Sequence, residues 1–319
     1  MIKKITITLL FLLFISSNEG TSLFAQSSES NTYEFLSVPV SAHSAALGGR
    51  NVSITEDDVT LIFSNPALLT NVSHNTVNLD YTSYIGSTMK LSAAFARQTG
   101  ERGTWAVAAQ YLSYGTMDET DALGNKINDF TPADIALQGT FAYLLTDYWS
   151  GAVTGKMIIS NYGEYKAFAM GVDLGLNYFN PETDLSLSFV GKNFGGQIDP
   201  LYETKEALPF DFSIGLSKGL GHAPIRLNFT FDDLTHWKNI NFIQHLIIGA
   251  DVFIGKSVWA GVGYNFRQAH EMKTADNSSH MAGFGIGGGI NVNKFKIALA
   301  WSKYHISSSS LIVNASFAF

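Results

Sequence analysis

From Thr76 to the end of the chain, apolar residues alternate with small or polar ones in segments roughly ten residues long. Phe210, Phe212, Ile214 and Leu216 interleave with Asp211, Ser213, Gly215 and Ser217, and Ile225, Leu227, Phe229 and Phe231 with Arg226, Asn228, Thr230 and Asp232. Phe168, Met170, Val172, Leu174, Leu176 and Tyr178 repeat the pattern, as do Phe295, Ile297, Leu299 and Trp301. A period of two gives a strand one greasy face and one that is not. Fourteen such segments start near Thr76, Met89, Thr104, Asp134, Gly151, Phe168, Leu185, Phe210, Ile225, Leu246, Val258, Phe284, Phe295 and Ser310.

The connections alternate too. Thr99–Gly103, Thr146–Tyr148, Asn180–Asp184, Gly219–Pro224, Gly255–Ser257 and Asn293–Lys294 are short. Thr116–Ala133, Asn161–Ala167, Gly195–Pro209, Thr235–His245, Gln268–Gly283 and His305–Ser309 are mostly longer and more polar, and Ile85–Thr88 is the exception. Short turns at one end and long loops at the other predict an all-β fold, a 14-stranded antiparallel transmembrane barrel over residues 76–319. An even count returns both barrel ends to the short-turn side, the periplasmic side for an exported chain. Tyr81, Tyr84, Tyr111, Tyr114, Trp149, Tyr162, Tyr178, Tyr264, Trp301 and Tyr304 fall mostly near segment ends, where aromatic belts sit. The last segment presents Val313, Ala315, Phe317 and Phe319 on one face, and a terminal aromatic is the mark that outer-membrane barrel-assembly machinery recognises. The opposite faces are rich in Gly, Ala, Ser and Asn, so the lumen is expected to be lined by small groups and to be short of large apolar ones.

A soluble sandwich or lipocalin-like barrel has the same period with its apolar face turned inward. Three features weigh against it: a signal peptide, the low charge of the non-apolar face and the one-sided loop lengths. Residues 1–25 read as a signal peptide, with Lys3 and Lys4, an apolar run from Ile5 to Ile15, and a cleavage site at Ser22–Ala25 before Gln26. No later run of about 18 apolar residues follows, so no transmembrane helix is expected. Only 15% of residues are charged, and mean hydropathy is +0.10. The net charge of −7 leaves no basic excess for nucleic acid. With no cysteine there is no disulfide, thiolate metal site, cysteine nucleophile or lipoprotein anchor.

Residues 26–75 do not alternate and form a separate N-terminal segment. They carry Tyr33-Glu34-Phe35-Leu36, Ala45-Ala46-Leu47-Gly48-Gly49, Asp57-Asp58 and Asn65-Pro66-Ala67-Leu68-Leu69. Gly48-Gly49 permits a bend, and Asn65-Pro66 starts a turn from which a short helix opens at Ala67. Asp57 and Asp58 are open to three roles: a capping pair, polar ligands in the lumen, or part of a channel gate.

A Leu-Gly-Gly, an acidic pair and an Asn-Pro-Ala ahead of fourteen strands resemble the FadL-like outer-membrane barrels. Within them, the run from Tyr33 to Leu69 is similar to the PorV/PorQ family of the type IX secretion system of Bacteroidota, and the ending from Ala300-Trp301 through Tyr304-His305 to Phe319 to its PorQ branch. The resemblance implies that residues 26–75 fold into the barrel as a hatch. It also implies a non-enzymatic subunit of the cell-surface attachment complex. Such a subunit holds a PorZ-like surface protein beside PorU-like and PorV-like subunits while cargo is joined to anionic lipopolysaccharide. Two alternatives stand beside it, a FadL-like channel for hydrophobic molecules, needing a lateral opening or a greasy lumen pocket near the hatch, and a PorV-like cargo shuttle.

Candidate chemistry is sparse. Gly283, Gly285 and Gly288 spell a dinucleotide-type motif but lie on a strand, where a glycine-lined inner face that admits a neighbouring backbone explains them better. His270-Glu271 lacks a second zinc-binding histidine, and Asp118, Glu119 and Asp121 do not match a calcium loop. No cofactor, metal or catalytic residue is expected. Asp173, Asp211, Asp232 and Asp251 with Arg226, Lys296 and Arg267 are expected to form a polar lumen network. The loops Thr116–Ala133, Gly195–Pro209 and Gln268–Gly283 are the expected partner-binding surfaces.

Overall fold

The computed structural model describes residues 33–121, 123–201, 205–237, 240–255, 257–273 and 280–319. The signal segment 1–25 lies outside the described residues. The strands are β1 (Thr76–Ser83), β2 (Met89–Thr99), β3 (Gly103–Ser113), β4 (Met117–Thr120), β5 (Lys126–Phe130), β6 (Ala133–Leu144), β7 (Trp149–Tyr162) and β8 (Tyr165–Asn180), followed by β9 (Leu185–Asp199), β10 (Asp211–Gly219), β11 (Ile225–Phe231), β12 (Leu246–Ile254), β13 (Val258–Asn265), β14 (Phe284–Val292), β15 (Phe295–Ser302) and β16 (Ser310–Ala318). Fourteen of them close an antiparallel barrel, each beside its sequence neighbour, with β1 pairing β16 to complete the ring. The expected fold class and the strand starts hold to within about three residues. The expected loop Thr116–Ala133 differs, since it folds into a separate two-stranded hairpin, β4–β5.

Burial settles which face is outside. Along β1, Thr76, Asn78, Asp80 and Thr82 are buried, while Leu79 and Tyr81 are exposed. On β11, Arg226, Asn228 and Thr230 point in and Phe229 points out. The apolar face turns outward and the polar face inward, the inverse of a soluble barrel and the arrangement a bilayer demands. Pairing is continuous around the ring, with register shifts confined to β8–β9. There Val172 pairs with Phe194 but Leu174 with Gly191, and Asn193 takes the left-handed φ of 60° that such a bulge uses.

The lumen is occupied. Residues 33–75 form short helical turns at Glu34–Ser37, Ala42–Ala46, Val59–Phe63 and Pro66–Asn71. Ala42–Ala46 touches β13, β14, β15 and β16, Pro66–Asn71 touches β3, β6, β7 and β8, and Val59–Phe63 touches β1 and β2. A segment that meets strands on opposite sides of a closed ring runs through its interior. Leu47, Ile54, Leu61 and Leu68 form a small core within the segment. Val59, Ile62, Leu69 and Val72 pack against an alanine-lined patch of wall, Ala94, Ala96, Ala106, Ala108 and Ala142.

Candidate functional site

Glycines on the inner wall seat the segment. A methyl group on Gly175 would stand 2.9 Å from Pro66 Cγ and 3.0 Å from the Ala67 amide, and one on Gly249 would meet Leu47 at 2.9 Å. Gly215 faces Val52 and Ser53, Gly263 faces Leu47, and Gly285 faces the Ala45 carbonyl, all too closely for any side chain. The motif Gly283, Gly285, Gly288 is thus split by position. Gly285 contacts the segment, Gly283 turns at φ 89°, and Gly288 faces outward, because alternation places Gly285, Gly287 and Gly289 on the inner face.

The segment's own motifs are turn devices. Gly48 and Gly49 hold φ of 99° and 106° after the helix Ala42–Ala46, a conformation side chains rarely adopt. Asn65 is fully buried; its Oδ1 accepts from the Ala67 amide at 2.9 Å, and its Nδ2 donates to the Val52 carbonyl at 2.8 Å. Pro66 occupies the first helical position, and the Ala67 carbonyl accepts from Ser150 Oγ at 3.0 Å. The acidic pair divides its labour. Asp58 caps Val59–Phe63 by accepting from the Thr60 amide at 2.9 Å, whereas Asp57 accepts from the Ser73 amide at 2.6 Å and pairs with Lys296 of β15. Lys296 and Ser73 hold the Asp57 carboxyl below its usual range against the cost of burial, while burial pushes Asp58 up. Phe317 and Phe319 lie on the outer face, Phe317 against Phe295 at 4.6 Å between ring centres.

A buried ionic knot joins segment to wall. His43 Nδ1 lies 2.8 Å from Glu56 Oε2, and its Nε2 is 3.3 Å from Asp251 Oδ2 on β12. Arg226 of β11 bonds Asp251 at 3.0 Å and also reaches Glu56. The His43 ring stacks on Trp259 of β13 at 3.6 Å, and the Arg226 guanidinium sits 4.9 Å over Phe253. Burial opposes charge on His43, but Glu56 and Asp251 outweigh it and lift its pKa to about 9; His43 and Arg226 in turn draw Glu56 down to about 2 despite its burial. A cavity of about 360 Å³ adjoins the knot, bounded by Glu56, Asp57, Arg226, Trp259 and Lys296 and reaching Gly255 and Asn291 at the short-turn end.

At the long-loop end the lumen is apolar. Tyr33, Phe35 and Leu36 are buried against Leu112, Ala136, Ile158, Ala169 and Leu208. The expected shortage of large inward apolar groups is therefore corrected, since an otherwise polar inner face carries large apolar groups where the segment buries its aromatic residues. Lys90, almost wholly buried on β2, donates to the carbonyls of Phe35 at 3.0 Å and Val38 at 2.7 Å, so an ammonium clamps the chain over this pocket. Gln197 Nε2 donates to the Tyr33 hydroxyl at 2.7 Å.

Lys156 meets Asp173 at 2.7 Å, Arg50 of the segment meets Asp232 at 2.7 Å, and Asp211 accepts from the Asp233 amide at 3.1 Å. Arg267 departs from expectation: it lies in the short helix Phe266–Glu271 after β13, pairing with Asp233 and Glu271, because β13 ends at Asn265. Asp118 pairs with Lys126 on the outer hairpin, and Asp121 closes its turn by accepting from the Leu123 and Asn125 amides. Among the described residues no cluster of three or more acidic or histidine side chains is arranged to hold a metal. His43, Lys90 and Gln197 escape sequence reading. The signal that marks Lys90 is a lone cation on the inner face of a strand, where alternation alone places it.

No protein-family model matches the chain, and no curated protein is similar to it in sequence. Solved structures do resemble it. The toluene transporter TodX of Pseudomonas putida aligns at TM-score 0.53 and 12% identity, covering 86% of this chain and 96% of its own. A FadL homologue of Pseudomonas aeruginosa aligns at TM-score 0.55 and 10% identity, over 87% and 98%. The monoaromatic hydrocarbon channel CymD aligns at TM-score 0.53 and 13% identity, over 89% and 98%. The fold is that of the FadL-like outer-membrane barrels. At these identities the likeness concerns architecture alone.

Proposed function

We propose that the chain is a plugged outer-membrane channel for hydrophobic small molecules, exported by residues 1–25, with residues 26–75 as its hatch and residues 76–319 as its barrel. The short turns face the periplasm. The observation that carries this reading is the apolar pocket at the long-loop mouth, which the chain fills with Tyr33, Phe35 and Leu36. A greasy recess in a polar lumen suits an apolar solute taken from outside. The architecture shared with a toluene transporter and a monoaromatic hydrocarbon channel supports the same direction. In this reading a ligand displaces Tyr33–Leu36, then reaches the 360 Å³ cavity at the short-turn end once the His43–Arg226 knot loosens. The test is uptake. Cells whose outer membrane carries the chain should take up labelled toluene or a long-chain fatty acid several-fold faster than cells without it, with no change for a sugar of similar size. Equal rates would overturn the reading.

A second reading, a PorQ-like subunit of a type IX attachment complex holding a PorZ-like surface protein, is favoured by the β4–β5 hairpin. It projects Met117, Leu123 and Ile127 into solvent beyond the barrel. Deleting the chain in its native host separates the two. Loss of surface-attached secreted proteins supports the anchor, and loss of uptake of one carbon source supports the channel.

A further inference from the structure

We propose that the pocket occupied by Tyr33 is a binding site for a phenol, a single aromatic ring bearing a hydroxyl group, and that the Tyr33 side chain is its built-in stand-in. This rests on the channel reading and names its ligand. Four observations converge. First, Tyr33 adopts φ 65° and ψ 18°, the left-handed conformation that a bulky aromatic residue rarely enters, so the backbone accepts an unfavourable state to deliver this ring. Second, the ring is 5% exposed among Leu112, Ala136, Ile158, Ala169 and Leu208, a lining of aliphatic carbon from β3, β6, β7, β8 and the β9–β10 connection. Third, the one polar atom of the ring is answered by the wall: Gln197 Nε2 donates to it at 2.7 Å. Fourth, that amide cannot turn round freely, because Gln197 Oε1 accepts from the Glu206 amide at 2.8 Å, which commits the NH₂ to the pocket. Gln197 is itself buried, so a ligand with a ring but no hydroxyl leaves an N–H without a partner in an apolar place. The pocket thus recognises a ring and a hydroxyl together. Nearby, Asp134 accepts from Ser160 Oγ and from the hydroxyls of Tyr114 at 2.6 Å and Tyr162 at 3.0 Å.

The experiment empties the pocket and refills it. Tyr33→Gly removes the ring and suits the left-handed backbone, so the variant keeps the fold's geometry at that position. In detergent micelles the full chain carrying Tyr33→Gly should bind 4-methylphenol, the tyrosine side chain as a free molecule, saturably and with a raised unfolding midpoint. Toluene, the same molecule without its hydroxyl, should bind about tenfold more weakly. Gln197→Leu in the same background should erase that difference, and Tyr33→Phe, whose ring leaves the Gln197 N–H without a partner, should yield to 4-methylphenol more readily than the unmodified chain does. The unmodified chain provides a check that needs no variant: 4-methylphenol should speed amide hydrogen exchange at residues 33–38 more than toluene does at the same concentration. Toluene binding as tightly as 4-methylphenol, no binding of either to Tyr33→Gly, or unchanged exchange in the unmodified chain would overturn the proposal. Its failure is distinguishable from that of the channel reading, because uptake of toluene or fatty acid by cells carrying the unmodified chain is measured separately.

Discussion

Asn65 ties two turns of the internal segment with one side chain, capping Pro66–Asn71 through Oδ1 and holding the Val52 carbonyl through Nδ2. Asn65→Ala removes the cap and leaves a buried carbonyl without its donor, so unfolding in denaturant should show a loss of about 2 kcal/mol, while Asn65→Asp, which keeps the cap alone, should lose less. His43 makes a pH-dependent contribution. Its folded pKa of about 9 stands above the ordinary 6.5, so the stability it adds is complete below 6.5 and disappears as pH rises through 9. Glu56 works from the other side, contributing fully above 4.5 and losing effect as pH falls toward 2. The stability that the unmodified chain holds over His43→Gln, read as a difference in unfolding midpoint, should therefore shrink between pH 6.5 and 10. At this scale the sequence is half legible. Gly48, Asp58, Asn65 and Pro66 announce turns and caps by residue type, whereas the partners of His43 are 13 and 208 positions away and nothing local joins them.

The strands were the most legible elements, because period-two alternation survives even when the faces are inverted. What alternation does not carry is the exception within a strand. Leu112 and Ile158 stand on inner faces otherwise built from small and polar residues, and only the segment packed on them explains why. The β8–β9 bulge was equally hidden, since one extra residue leaves apolar periodicity nearly intact on either side. There Lys156 bonds both Asp173 at 2.7 Å and Asn193 Oδ1 at 2.6 Å, and Asp173 accepts from the Asn193 amide at 2.8 Å, so the bulge is closed by a buried ion pair. Removing one partner leaves a buried charge alone. Lys156→Met should cost about 3–5 kcal/mol in denaturant unfolding, and adding Asp173→Leu should restore most of the loss. A double variant as unstable as the single one would mean that the pair is not what holds the bulge.

As a whole, the molecule consists of a stiff ring and a filling attached to it in two different ways. Residues 59–72 press apolar side chains on alanines of the wall, a contact water cannot replace. Residues 38–57 pack Ala42, Ala45 and Ala46 against Trp259, Ala300, Tyr304 and Ile312 and add many polar links, among them Lys90 to Val38, Asn314 Nδ2 to the Val40 carbonyl at 2.9 Å, Ser53 to Ser217 and the His43–Arg226 knot. Water can substitute for the polar links one at a time, so this half of the filling is the more readily loosened if solute is to pass. The chain's lack of cysteine makes that testable without background. Ser53 Oγ and Ser217 Oγ lie 2.6 Å apart, one on the segment and one on β10, a separation that places two engineered thiols within bonding reach. With Ser53→Cys and Ser217→Cys oxidised, uptake of a hydrophobic probe should drop to the level of cells lacking the chain, and reduction should restore it. Uptake that persists through the crosslink would assign the path to residues 59–72 or to the wall itself, and would make residues 38–57 a permanent part of the barrel.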